Sequence, residues 1–208
     1  MKFVDPGAID NAILQSDPFD YFVAPLFIPA NALARINADY PLIESAANHD
    51  LESLKYGAAF AKFIEELTGD EVRNKIANKF DLNLDQSHTT ITVRKYCEKT
   101  DGNIHTDHRS KILTVLVYFN EDWPHEGGRL RFLHSNEDIE NYAAEIEPQG
   151  GTLLAFRRTD HSWHGHKQFV GERRMLQLNY LQNSMLSTIH QKVNRLSTRF
   201  QKKVLGIR

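Results

Sequence analysis

The feature that most constrains this chain is a change of hydrophobic period at Thr89. Upstream, apolar residues recur every three or four positions; downstream, they alternate. The first spacing stacks side chains on one face of a helix, whereas a strand sends successive side chains to opposite faces. Thr89-Thr90-Ile91-Thr92-Val93-Arg94-Lys95-Tyr96 alternates as a half-buried strand does. Further strand-like runs occupy 112–119, 129–133 after Gly127-Gly128, 152–156 after Gly150-Gly151, and 174–180 after Gly171. Short strands parted by Gly, Asn and Asp turns predict a sandwich or jelly roll rather than a parallel α/β sheet.

The upstream third reads as helices. Asp5-Pro6 predicts an N-cap and first helical position for a helix through Ile9, Ile13 and Leu14. Residues 19–28 are aromatic, and Pro25 and Pro29 limit them to a short strand. Pro29-Ala30-Asn31 opens a second helix towards Asp39, with Pro41 beyond it. From Gly57, the stripe Phe60, Phe63, Ile64 and Leu67 predicts a third helix, ended by Thr68-Gly69. Asp70 is then expected to cap a fourth, which buries Val72, Ile76, Ala77 and Phe80.

Beyond Ser184, Leu186, Ile189, Val193, Leu196, Phe200 and Val204 return to helical spacing among Lys and Arg without a single acid. The expected organisation is one structural domain: 1–88 as helical support, 89–183 as a mainly β jelly-roll core, and 184–208 as a basic amphipathic helix. That helix is open to three uses: packing on the acid-rich remainder, a homodimer contact, or an acidic carrier or membrane surface.

Composition narrows the function. Hydrophobic residues make up 41% and the formal charge is -2, which suits a packed core and argues against disorder and against general nucleic-acid binding. No apolar run approaches the roughly 20 residues of a membrane helix, and residues 1–10 lack the apolar stretch of a secretory leader. The single cysteine, Cys97, leaves no internal disulfide and no cysteine-based zinc site, so a cytoplasmic setting is expected. The expected partner is a small-molecule, peptide or protein substrate.

The chemistry gathers around His105-Thr106-Asp107. On an extended backbone, residues two apart share a face, so this imidazole and carboxylate can converge on one metal. Two histidines and one carboxylate leave the other face of an octahedral Fe(II) open. The third ligand must come from elsewhere, and Ser162-Trp163-His164-Gly165-His166 offers His164, with His161 and His166 as rivals. Nine residues after His164 stands Arg173, able to hold a carboxylate through two parallel hydrogen bonds. Other chemistries lack their motifs: there is no G-x-S-x-G elbow, and His125-Glu126 begins H-E-x-x-H but has Arg129 at the second histidine position.

These residues resemble the Fe(II)/2-oxoglutarate-dependent dioxygenases, specifically the prolyl 4-hydroxylase-like branch. His105-x-Asp107, His164 and Arg173 look like its ligand triad and co-substrate arginine. Between them, Lys111-Ile112-Leu113-Thr114-Val115-Leu116-Val117-Tyr118-Phe119-Asn120-Glu121-Asp122-Trp123 and Gly127-Gly128-Arg129-Leu130 are similar to the family's apolar strand, Tyr-Leu-Asn, Trp and Gly-Gly-x-Leu. Gly171-Glu172-Arg173-Arg174-Met175-Leu176 resembles its Gly-x-Arg-x-x-Leu. The match covers about residues 90–181, and the order and spacing of its elements are more specific than any one of them.

The resemblance implies a double-stranded β-helix core, with Fe(II) on His105, Asp107 and His164 and 2-oxoglutarate chelating the metal. Its distal carboxylate would rest on Arg173 and Tyr118, with Tyr96 near the co-substrate. O2 would be the oxidant, ascorbate a candidate accessory reductant, and hydroxylation of a C–H bond with release of succinate and CO2 the reaction. A prolyl residue and a free amino acid both stand as substrates. Arg174 competes with Arg173 for the anchor role; on an alternating strand it would share a face with Leu176 and Leu178, and Arg173 one with Met175, Gln177 and Asn179. Asn179 stands where the family often has tryptophan, so a more polar pocket floor is expected. Glu137, Asp138 and Glu140 lie in the longer loop between the strand runs 129–133 and 152–156, a candidate lid. Two other readings use the same residues: a non-oxidative cupin-like metal protein, and an interaction module built on an inactive barrel.

Overall fold

The computed structural model describes residues 2–182. Met1 and 183–208, with the expected C-terminal helix, lie outside the described residues. In chain order the elements are α1 (Gly7–Asn11), β1 (Tyr21–Ala24), α2 (Ala30–Ala38), β2 (His49–Asp50), α3 (Ala58–Leu67), α4 (Asp70–Lys79), β3 (His88–Cys97), β4 (Lys111–Tyr118), β5 (Leu130–Leu133), β6 (Tyr142–Ile146), β7 (Leu153–Arg157), β8 (His164–His166) and β9 (Gly171–Leu181). The change of period at Thr89 thus marks where the last helix has ended and the run of strands from β3 to β9 begins.

All strand pairs are antiparallel. A large sheet runs β1-β7-β4-β9-β3-β2, and a small one β6-β5-β8. The two face each other, the arrangement of a double-stranded β-helix. Alternation sorts each strand of the large sheet between two apolar layers. Leu113, Val115 and Val117 of β4, with Leu176, Leu178 and Tyr180 of β9, join the layer filled by Phe60, Phe63 and Leu67 of α3 and Val72 and Ile76 of α4. The alternate residues Leu116, Tyr118, Met175, Leu154 and Phe156 join Leu130, Phe132 and Ile146 of the small sheet. Rings close this inner layer: Phe132 lies 4.8 Å from Phe19 and 4.7 Å from Tyr21, centroid to centroid. The helices therefore cover one face of the large sheet, and the other face is left for the small sheet and the site.

Several local expectations are corrected. The first helix stops at Asn11, because Ala12 is extended, and Ile13 is 73% exposed rather than buried. Pro6, not Asp5, takes the N-cap position; the Asp5 carboxylate accepts a hydrogen bond from the Gly7 amide at 2.9 Å. Gly69 rather than Asp70 caps α4, and Asp70 pairs with Arg73 one turn on, at 2.9 Å. An acid in the first turn still favours the helix through its dipole. The short strand expected within 19–28 is β1, and with β2 it forms the two edges of the large sheet.

The loop after β5 leads into a strand of its own, β6, and is tied down. Buried Arg131 bonds Glu145 at 2.6 Å and Glu140 at 3.1 Å, and its guanidinium lies 4.2 Å from the Tyr142 ring centroid. Lys167 adds a second cation to Glu140 at 3.0 Å.

Candidate metal centre

His105 and His164 meet across a single antiparallel bridge. The His105 amide donates to the His164 carbonyl at 3.0 Å, and the His164 amide to the His105 carbonyl at 2.9 Å. β8 is in turn registered on β5, with Phe132 opposite His164. Asp107 follows on the same extended segment, whose backbone is held where Arg158 Nε donates to the Asp107 carbonyl at 3.1 Å. One ligand atom from each of His105, Asp107 and His164 lies within 4.8 Å of the others. A metal with bonds of about 2.1 Å places adjacent donors roughly 3 Å apart, so a small side-chain adjustment closes the three upon it.

Hydrogen bonding fixes which imidazole nitrogens are available. His105 Nδ1 lies 2.8 Å from the Asn103 carbonyl, and His164 Nδ1 lies 2.9 Å from the Ser162 carbonyl. A carbonyl only accepts, so both Nδ1 atoms carry protons and both Nε2 lone pairs are free for a metal. Burial lowers the His164 pKa to about 4, outweighing the attraction of Asp107, so the ring is neutral near pH 7. Burial pushes Asp107 the other way, but Lys111, His164 and Thr114 together hold its pKa at about 2. Lys111 Nζ donates to Oδ1 at 2.6 Å, and the Thr114 hydroxyl donates to Oδ2. Two imidazoles and one carboxylate form a donor set suited to Fe(II), and the site fits that metal.

Arg173 projects from β9 into the same interior. It is 3% exposed. Its Nε donates to the Gly128 carbonyl at 2.7 Å, its Nη2 lies 3.3 Å from the Tyr118 hydroxyl, and Nη1 approaches Met175 Sδ at 2.9 Å. Cys97 lies beside it, and burial raises the thiol pKa despite that cation. No carboxylate among the described residues lies within ion-pair distance of Arg173. Arg174 turns to the other face, where it pairs with Glu172 and lies 5.6 Å from the Tyr40 ring centroid.

The remaining candidates fall as follows. His161 is exposed, and His108 is exposed and bonded to Ser110. His166 faces inward near Arg173 and is lowered to about 4, by burial first and that cation second. Tyr96 is half-buried under the Lys95 ammonium, 5.2 Å from its ring centroid, and is hydrogen-bonded neither to Arg173 nor to Tyr118. Cys97, next along β3, is the residue that reaches Arg173. Lys111 and Thr114 escaped the sequence reading because they sit in an apolar strand pattern. The available signal was register, which sets Thr114 on one face with Leu116 and Tyr118.

Residues 91–181 match the family model of the 2OG-Fe(II) oxygenase superfamily. No curated protein is similar in sequence. Among solved structures, the chain is similar to a Pseudomonas putida prolyl-4-hydroxylase (TM-score 0.56, 18% identity, covering 86% of this chain and 92% of that one). It is also similar to a 2OG-Fe(II) oxygenase family oxidoreductase from Burkholderia pseudomallei (0.54, 14%, covering 77% and 84%). A viral collagen prolyl hydroxylase from Paramecium Bursaria Chlorella virus-1, solved with 2OG, gives 0.53 and 16%, covering 79% and 96%. These likenesses bear out the double-stranded β-helix, and the family match spans the stretch that carries His105, Asp107, His164 and Arg173. No helix among the described residues is long and apolar enough to cross a membrane.

Proposed function

We propose that this chain is a 2-oxoglutarate/Fe(II)-dependent oxygenase that holds Fe(II) on His105 Nε2, Asp107 and His164 Nε2, binds 2-oxoglutarate against Arg173, and hydroxylates a C–H bond of a peptidyl prolyl residue or a small amino acid-like substrate. The observation that carries the reading is Arg173. A buried guanidinium without a carboxylate partner costs several kcal/mol unless an anion joins it. Its planar fork suits a carboxylate, and Tyr118 stands ready as a second donor. A non-oxidative metal protein would give no reason for a buried cation at this place.

When bound, Fe(II) supplies the site at which O2 is activated as 2-oxoglutarate is oxidised to succinate and CO2, with hydroxylation of the substrate as the outcome. The protein's residues act around it. The Asn103 and Ser162 carbonyls orient the two imidazoles, while Lys111 and Thr114 orient the carboxylate. Arg173 and Tyr118 would fix the far end of the co-substrate. The inner apolar layer, led by Leu116, Leu130 and Phe132, keeps water from one side of the site.

The test is succinate formation from 2-oxoglutarate with Fe(II), measured with peptidyl prolyl and amino acid substrates. Iron-dependent succinate formation that is lost in His105→Ala supports the reading. A protein that takes up iron but neither binds nor turns over 2-oxoglutarate refutes it.

A further inference from the structure

One polar network leads outward from Asp107. Thr114, which donates to Asp107, also lies 3.5 Å from Asn179 Oδ1. Gln177 Nε2 donates to that same oxygen at 2.8 Å, and Asn179 Nδ2 donates to Thr90 Oγ1 at 3.2 Å. Thr90, Asn179 and Thr114 are one row across β3, β9 and β4, for the register pairs Thr90 with Asn179 and Asn179 with Thr114. Asn179 is buried, whereas Gln177 and Thr90 reach solvent. The wall beside the metal ligands is therefore hydrogen-bonding rather than apolar.

Lys111 stands at the other end of this network. Its side chain is 13% exposed and bonds Asp107 with one of its three ammonium protons. Charge decides what this leaves over. A divalent metal and Arg173 are matched by Asp107 and a doubly charged 2-oxo diacid. Arg94 is matched by Asp101 at 2.9 Å, and Arg158 by Asp160 at 2.7 Å. Among the described residues, Lys111 is then a cation beside the site whose charge is left over once Asp107 serves the metal.

We propose that Lys111, with the wall of Thr90, Gln177 and Asn179, forms the substrate subsite, and that it takes a small molecule bearing one free carboxylate. The proposal rests on the 2-oxoglutarate-dependent reading and narrows it to one substrate class. Lys111 would face the carboxylate, and the amides and hydroxyl of the wall the substrate's own donors and acceptors. An end-capped prolyl peptide, which is neutral, gives Lys111 nothing to pair with.

The protein is first loaded with redox-inert Zn(II) and the inert co-substrate analogue N-oxalylglycine, and uptake of both is measured. Failure at this step overturns the parent reading together with the subsite, and is seen before any substrate is added. The loaded protein is then titrated calorimetrically with free L-amino acids and N-acetyl amino acids, each beside its carboxamide, and with an end-capped prolyl peptide. An acid is expected to bind at least tenfold more tightly than its carboxamide. Lys111→Gln should reduce that ratio to within twofold, and Gln177→Leu should weaken acid and carboxamide alike and leave the ratio intact. Should Lys111→Gln fail to hold zinc, the wild-type ratio decides alone. Equal binding of acid and carboxamide, binding of the capped peptide alone, or binding of no acid would overturn the proposal.

Discussion

His105 and His164 exchange both backbone hydrogen bonds, at 3.0 and 2.9 Å, and their rings lie 4.4 Å apart, centroid to centroid. The bridge between the loop before β4 and the small sheet is thus the pairing of two candidate metal ligands. Strand register brings the two imidazoles together, and a small side-chain adjustment is all that a shared metal requires. Asp107, two residues along, inherits its position from the same bridge.

Replacing either histidine by alanine should weaken Fe(II) binding by more than about a hundredfold, since partners outside the ligand set already cost roughly 10–100-fold. His161→Ala, at an exposed position, should leave affinity within a factor of two. Anaerobic metal titration of the three variants separates them. Full affinity in His164→Ala would mean that another residue supplies the third ligand.

Arg173 and Arg174 are neighbours on β9 with opposite surroundings, the first against Tyr118 and Gly128, the second against Glu172 and Tyr40. A charge-assisted hydrogen bond contributes about 1.5–3 kcal/mol. Arg173→Ala should therefore weaken 2-oxoglutarate binding by roughly ten- to a hundredfold, and Arg174→Ala by less than about twofold. Calorimetric titration with 2-oxoglutarate reads both, and the reverse ranking would place the anchor on the other face of the strand.

What was legible in the sequence follows from where period carries information. The unbroken apolar and β-branched run at 112–119 announced β4, because both of its faces enter apolar layers. The spacing of His105 and Asp107 announced a shared face, because residues two apart on extended backbone point the same way, while His164 was singled out from His161 and His166 by the family resemblance. Three-residue β8 was too short to show a period, and β6 was hidden in a loop whose partner, Arg131, can be recognised only in three dimensions. Choosing between Arg173 and Arg174 needed the register of β9. The helical pattern misled at Ile13 and Leu14, where apolar residues continue after the backbone has turned extended at Ala12.

Thr114 donates its one hydroxyl proton to Asp107 Oδ2 from a buried position. Thr114→Val keeps the shape and removes the donor. Loss of a partner that orients a ligand costs about tenfold or more in metal affinity, and the carboxylate loses one of its two side-chain donors. The expected result is Fe(II) binding weakened by about tenfold with the melting temperature lowered by only a few degrees. Unchanged metal affinity would show that Lys111 alone suffices to hold the carboxylate.

Gly128 adopts φ +77°, and a Cβ there would stand 2.7 Å from Trp123 Cζ2 and 3.3 Å from Phe169. Its carbonyl also accepts the Arg173 Nε hydrogen bond at 2.7 Å. Gly128→Ala therefore forces strain of about 1–3 kcal/mol and moves the acceptor that aims Arg173. Both denaturant stability and 2-oxoglutarate affinity should fall, while Fe(II) affinity stays within about threefold. A variant that loses stability but binds 2-oxoglutarate normally would free Arg173 from that carbonyl.

Phe132 and Phe63 are both fully buried, one in the inner apolar layer and one in the layer under the helices. Truncating either to alanine removes a ring from a close-packed core and should cost about 3–5 kcal/mol. Their effects on the site should differ. Phe132 lies opposite His164 in the register of β5 and β8, and its ring packs 5.3 Å from that of Phe156, which in turn lies 4.8 Å from the His164 ring. Phe63 instead packs against Phe60 and Phe119, on the far side of the large sheet. Denaturant unfolding should rank the two variants as equals, whereas metal titration of the folded proteins should show weaker Fe(II) binding only in Phe132→Ala. Equal loss of metal affinity in both would mean that the two layers do not act independently on the ligand geometry.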